Sequence, residues 1–258
     1  MHLPPRLDCT WKEVCFANSA GLKISGLWYS SGQPGKPLVL VCHGFTGSKE
    51  GGDGQACRMA EYLAQIGYES LLIDFAGSGQ SEGQFEDLTL SSQIDDLSCA
   101  VSWCLNKGTD FIVTLGRSFG GSTAICHAAR DKRVSAVCTW AAPARPDQLF
   151  RDHLHPEQNK PGYIILSNNW ETISLKKGFL EDLTSHDPLF AASQISPRPT
   201  LFLHGSQDEL VPAEDLELYY AAAKEPKKRN LISGADHQFQ GHHQEVWEIC
   251  ATWLVRQL

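Results

Sequence analysis

Apolar and β-branched residues gather in short runs along the chain, at 11–17, 22–30, 38–42, 68–74, 111–115, 134–140, 200–204 and 229–232. Runs of this length, bounded by glycine, proline, asparagine or aspartate, read as strands. The first two read as an antiparallel pair. Five longer stretches, at 54–66, 90–105, 118–130, 213–223 and 243–255, read as helices. From residue 38 onward the two kinds of segment alternate. Such alternation predicts an α/β fold, with a mostly parallel sheet covered by helices on both faces and its working loops at the carboxyl ends of the strands. No internal repeat or low-complexity stretch interrupts it, and 1–258 reads as one domain.

The rhythm breaks once. Between Ala144 and Ile195 no strand–helix period is evident, and the stretch "RDHLHPEQNKPGYIILSNNW" is rich in histidine, proline, asparagine and aromatics. Long irregular segments inside compact domains are usually functional. Residues 145–190 are therefore expected to form a lid or cap over the site; the plainer alternative is an ordinary helical insertion.

Composition narrows the function classes. The chain has 258 residues, 42% of them hydrophobic, enough for a substantial core. Its formal net charge of −8 speaks against nucleic acid and against anionic membrane surfaces. Nine cysteines are scattered without a C-x-x-C pair, and most lie in apolar runs, as in Val41-Cys42 and Val137-Cys138. They read as reduced core residues, not as a disulfide frame or a zinc site. The opening "MHLPPRLDCTW" lacks the apolar stretch of a signal peptide and no segment has the length of a membrane span, so a cytoplasmic location is expected.

The chemistry centres on "FIVTLGRSFGGSTAICHAA", residues 111–129, where a strand passes into a helix with no polar loop between them. So tight a turn needs residues without a Cβ where the backbone crowds itself, and Gly116 and Gly120 supply them. Ser118 is left at the tip, within a G-x-S-x-G pattern in the strand–turn–helix context of a nucleophile elbow. A serine hydroxyl needs a base, and the base a third group to hold its tautomer. "TLFLHGSQDELVP" puts Asp208 in a polar loop after a buried strand, with Glu209 as its nearest rival. "NLISGADHQFQGHH" puts His237 in the loop after the next strand; His242 and His243 compete, but they open the last helix. The order Ser118, Asp208, His237 is the one this fold uses. The oxyanion needs amide donors, and these are Phe119, which follows the serine, and Phe45 in "HGFTGSKEGGDG", where His43 and Gly44 shape the turn. The glycine-rich segments match neither a P-loop nor a dinucleotide fingerprint.

Taken together, "HGFTGSK", "DFAGSGQSEGQF", "GRSFGG", "HGSQDELVP" and "GADHQF" resemble the α/β-hydrolase family over residues 39–240, in the family's order. Within it the chain is most similar to bacterial serine esterases that include feruloyl and cinnamoyl esterases, which carry a short lid where 145–190 lies here. The resemblance implies Ser118 as nucleophile, Asp208 as acid, His237 as base, and Phe45 and Phe119 as oxyanion donors, the residues already chosen on chemical grounds. One position departs: Arg117 stands before the nucleophile, where histidine is common. His43, Tyr163 and Trp170 are candidates for substrate contact. The expected reaction is hydrolysis of short acyl or aryl esters, including hydroxycinnamoyl esters, with no metal or organic cofactor. A thioesterase, an acyltransferase or a peptidase would use the same triad, and a non-catalytic binding protein could occupy the same fold. The expected partner is a small-molecule ester, and a homodimer is allowed.

Overall fold

The computed structural model describes residues 6–151, 154–156, 160–167 and 172–257. An antiparallel pair, β1 (Thr10–Ala17) and β2 (Lys23–Ser30), precedes β3 (Leu38–Cys42), α1 (Gln55–Ala64), β4 (Glu69–Ile73), α2 (Leu90–Asn106), β5 (Ile112–Arg117), α3 (Phe119–Arg130) and β6 (Ala136–Trp140). The segment that broke the rhythm follows: α4 (Pro146–Arg151), β7 (Leu154–Pro156), β8 (Tyr163–Ser167), β9 (Thr172–Lys176), α5 (Gly178–Thr184) and α6 (Pro188–Ser193). The chain then closes with β10 (Thr200–Gly205), α7 (Glu214–Ala222), β11 (Lys227–Ile232) and α8 (His243–Leu254).

Eight strands form the main sheet in the order β1-β2-β4-β3-β5-β6-β10-β11. β2 runs antiparallel to β1 and β4, and every pair from β4 to β11 is parallel. All eight are strands that the hydrophobic pattern predicts. Every residue of β3, β4 and β6 is buried, as expected of parallel strands covered on both faces. The two-residue period assigns alternate side chains to opposite layers. Val39, Val41, Val113 and Leu115 pack with α1 and α8, whereas Leu38, Leu40 and Ile112 pack with α2, α3 and α7. At the start of α2 the Thr89 and Ser92 side chains each accept the other's backbone N–H, a capping box.

The insertion between β6 and β10 is more than a helical excursion. β7, β8 and β9 make a separate three-stranded antiparallel sheet, flanked by short helices. Its docking is polar at the rim. The Tyr163 hydroxyl donates to Glu86 Oε1 at 3.0 Å, Lys160 Nζ reaches Glu86 Oε2 at 3.1 Å, and Lys176 pairs with Asp87. Glu86 and Asp87 belong to a 3₁₀ turn, Phe85–Asp87, ahead of α2. All nine cysteines are free, and five of them are buried. Among the described residues no helix is long and apolar enough to cross a membrane.

Candidate active site

β5 ends and α3 begins across a single residue, Ser118, whose φ of 51° and ψ of −128° lie where residues with a Cβ are strained. Two contacts hold it there: Ser118 N–H donates to the Trp140 carbonyl at 2.7 Å, and its own carbonyl accepts Gly121 N–H at 2.7 Å. The flanking glycines serve close approach. A Cβ on Gly116 would fall 2.1 Å from the Gly120 carbonyl oxygen, and one on Gly120 would fall 2.3 Å from that of His43. Neither glycine adopts positive φ; the serine alone carries the strain.

The loops after β10 and β11 bring Asp208 and His237 to this tip. His237 is only 4% exposed. Its Nε2 lies 3.1 Å from Ser118 Oγ, and its Nδ1 lies 2.8 and 3.0 Å from the two Asp208 carboxylate oxygens. An ionised Asp208 accepts from Nδ1–H, which leaves Nε2 to accept the Ser118 hydroxyl proton. Burial would raise the Asp208 pKa. Hydrogen bonds from His204 and His237, and the backbone N–H of Val211, outweigh it and hold the carboxyl well below the usual carboxylate range. Leu210 and Val211 N–H groups donate to Oδ1 at 2.9 and 2.8 Å. Glu209, the rival acid, accepts the backbone N–H of His237 at 3.2 Å instead. His242, a rival base, pairs with Glu245 at the start of α8.

A second histidine, absent from the sequence reading, also holds Asp208. His204 is the next-to-last residue of β10, is buried, and its Nε2 lies 3.1 Å from both Asp208 Oδ2 and the Val211 carbonyl. The signal was its place four residues ahead of the acid in "HGSQD", at the end of a wholly buried strand.

The loop after β3 passes directly over the serine. A Cβ on Gly44 would lie 3.0 Å from Ser118 Cβ and 3.6 Å from Oγ, so the chain entering Phe45 runs against the serine side chain. The Phe119 N–H opens a helix and has no partner in its own turn. This loop is clamped from behind by a buried ion pair. Lys49 Nζ lies 2.6 Å from Asp74 Oδ2, and Asp74 also accepts the N–H groups of Lys49 and Gln80. His43 corrects an expectation. It is 7% exposed, its Nδ1–H donates to the Gly44 carbonyl at 2.8 Å, and its Nε2 accepts Phe75 N–H at 3.1 Å. Burial pushes its pKa down, keeping the ring neutral. With both nitrogens used internally, His43 shapes the loop and does not face a substrate. The Tyr163 hydroxyl donates to Glu86 and its ring lies under the Lys160 ammonium, 3.5 Å from the centroid. Trp170 lies outside the described residues.

The rings of Phe45 and Phe119 pack into an aromatic nest with Phe150 and Phe179 of the insertion. Their centroids are 4.9 to 6.2 Å apart, and Phe85 joins at 5.3 Å from Phe45. Thr46, the next residue in the chain, lines a cavity of about 260 Å³ together with Gly77, Ser78, Phe85 and Ile173. The insertion thus contributes Phe150 and Phe179 to the nest and Ile173 to the cavity.

Residues 37–164 match the model of the alpha/beta hydrolase fold family. The chain is 25% identical over 245 residues to protein YfhR of Salmonella typhimurium, covering 92% of this chain and 78% of that one. It is 26% identical to the polyketide transferase ATR5 of Stachybotrys chlorohalonatus, covering 88% and 90%. Among solved structures, Est1E from Butyrivibrio proteoclasticus with ferulic acid bound superposes with a TM-score of 0.84 at 23% identity, covering 95% of this chain and 98% of that one. GrgF from Penicillium superposes at 0.79 and 23% identity, covering 96% and 99%. An eight-stranded sheet of this order, a strand–serine–helix turn at its centre and the family match show that the chain has the α/β-hydrolase fold.

Proposed function

We propose that the chain is a serine hydrolase that cleaves carboxylic esters through an acyl-enzyme. The carrying observation is the continuous relay from Ser118 Oγ to His237 Nε2, and from His237 Nδ1 to Asp208, at 3.1 and 2.8 Å on a strained turn. His237 accepts the serine proton as Oγ attacks the carbonyl carbon. The oxyanion forms between the N–H groups of Phe45 and Phe119, donors that need no reorganisation. Nε2–H then protonates the leaving alcohol. Water, deprotonated by the same nitrogen, releases the acid and restores Ser118. Asp208 keeps the proton on Nδ1 and stabilises the imidazolium that forms in each half-reaction. The steps require no cofactor.

The aromatic side chains gathered around Phe45 and Phe119 are in keeping with short acyl and aryl acyl groups, hydroxycinnamoyl among them, over long alkyl chains. The insertion acts as the lid that makes this choice. The ferulic acid in the Est1E structure is in keeping with that class. A second reading has its own support, since two relatives are polyketide transferases. The same acyl-enzyme would then pass its acyl group to an alcohol in place of water.

The test is a screen of acyl esters, thioesters and aryl amides, with Ser118→Ala as control and a fluorophosphonate as active-site label. Ser118 adds little packing, so the variant is expected to melt with the wild type and to lose on the order of 10⁴-fold or more in kcat. Activity above about a tenth of wild type would rule out this nucleophile. Added alcohol that turns the product from free acid to a new ester would identify the transferase.

A further inference from the structure

The residue ahead of Ser118 is an arginine, and its side chain does not run into solvent. Arg117 ends β5, where its backbone pairs with Trp140 of β6. From there the guanidinium crosses to the loop that carries His237. Its Nη2 donates to the His237 carbonyl oxygen at 3.1 Å and to the Gln238 side-chain Oε1. One nitrogen therefore grips the main chain of the base and the side chain of its neighbour. Arg117 and Ser118 share a peptide bond, so nucleophile and base are joined twice, once through Oγ and Nε2 and once through this arginine.

The loop after β11 has need of such a tie. β11 is the edge strand of the sheet and is largely exposed along its length. Phe239, two residues past the base, has a φ of 56°, and its ring packs against Trp140 at 6.2 Å. Asp208 and Glu209 hold His237 from the β10 side, through its Nδ1 and its backbone N–H. Arg117 supplies the polar tie from the β5 side, through the carbonyl. Burial draws the guanidinium pKa down, while the charges of Asp208 and Asp236 oppose that shift. Arginine stays charged in such surroundings, and its planar fork loses little freedom on binding.

We propose that Arg117 is a positioning residue for proton transfer, setting the His237–Ser118 separation by holding the main chain of the base from the residue next to the nucleophile. The inference rests on reading Ser118 and His237 as nucleophile and base. Arg117 touches neither substrate nor reacting atoms, so its removal acts on kcat and not on binding. A misplacement of about 1 Å can cost on the order of 100-fold in rate.

The experiment compares wild type with Arg117→Ala, Arg117→Lys and Ser118→Ala on one activated ester, recording kcat, KM and melting temperature with and without low-millimolar guanidinium. Arg117→Ala is expected to lose about 10- to 100-fold in kcat with KM changed less than about twofold. Guanidinium should restore it several-fold and leave wild type and Ser118→Ala unmoved. Arg117→Lys, with a donor and charge but no fork, should fall between. Should Arg117→Ala not fold, Arg117→Met keeps the apolar stem without donors and must show the same loss at unchanged KM. A kcat within about twofold of wild type in Arg117→Ala or Arg117→Met overturns the proposal, as does a loss that comes with a raised KM and no rescue. If wild type neither hydrolyses the ester nor takes up a fluorophosphonate, the Ser118 reading itself has failed and takes this inference with it. An active wild type with an indifferent Arg117 would be a failure of the inference alone.

Discussion

Asp208 must stay ionised while almost wholly withdrawn from water, a state that burial alone would forbid. Its two oxygens meet two backbone N–H groups and two imidazoles, and that surplus of donors holds its pKa low. His204 is the donor that the proposed relay does not use. It orients the carboxylate toward His237 and completes its hydrogen bonding. Replacing it by phenylalanine keeps a planar ring, somewhat larger, and removes the donor. The expected result is a fall of about tenfold in kcat/KM together with a stability loss of about 1–3 kcal/mol, the usual cost of leaving a buried polar group short of a partner. Denaturant melts and steady-state rates on His204→Phe check it; unchanged values for both would show that the three remaining donors suffice. Such a role is hard to read in advance, since "HGSQD" shows a histidine near the acid but not that β10 turns it inward. His43 shows the opposite failing. Its motif was legible, but whether its ring faced core or substrate depended on Phe75, a residue on another strand's loop.

At the scale of elements, the main sheet was legible because burial on both faces turns each central strand into an apolar run, and because helices separate the runs. The elbow was legible for a related reason: only glycines fit a turn that tight. The insertion was not. Its strands are short and lie over a polar rim, so "YIILS" and the alternating "TISLK" were outweighed by the histidine, proline and asparagine around them. What anchors this small sheet is apolar beneath and ionic at the edge. Ile164, Leu175 and Phe179 are buried, whereas the pairs of Lys160 and Lys176 with Glu86 and Asp87 are open to solvent and contribute little. Selectivity should therefore follow the nest. Phe150 is its most accessible insertion ring at 8% exposure and can be truncated with the least risk to folding. Phe150→Ala is expected to raise kcat/KM for bulky aryl acyl esters over acetyl esters by about tenfold, within the range a few methylenes command in an apolar pocket. The same preparation should react with a small fluorophosphonate as wild type does. An unchanged ranking of esters would move selectivity away from the insertion.

At the scale of the whole molecule, three separate parts of the chain meet on one carboxylate outside the site. Asp96 lies on α2 and is completely buried. Its Oδ1 accepts from the Asn18 side-chain amide at 2.7 Å, and its Oδ2 accepts Ala76 N–H at 2.8 Å. It thus ties the β1–β2 turn and the loop after β4 to the helix layer. Burial pushes its pKa up to about 6, against these two hydrogen bonds, which lower it. A carboxyl raised in the folded state binds its proton more tightly there than in the unfolded chain. Its ionised form therefore costs stability above about pH 6, and that cost is relieved as pH falls toward the unfolded value near ~3.9. This sign is the reverse of that at Asp208, whose lowered pKa stabilises the fold above the ordinary carboxylate value and is lost only in stronger acid. Between about pH 7.5 and about pH 5 the two effects separate, because only Asp96 titrates there of the pair. Asp96→Asn cannot ionise, so the difference between wild type and this variant isolates the group. That difference is expected to shift by about 1 kcal/mol in favour of wild type on going from about pH 7.5 to about pH 5. Urea unfolding of both proteins at the two pH values measures it. A difference that stays flat would mean that Asp96 holds one protonation state throughout, and that its two donors offset the effect of burial.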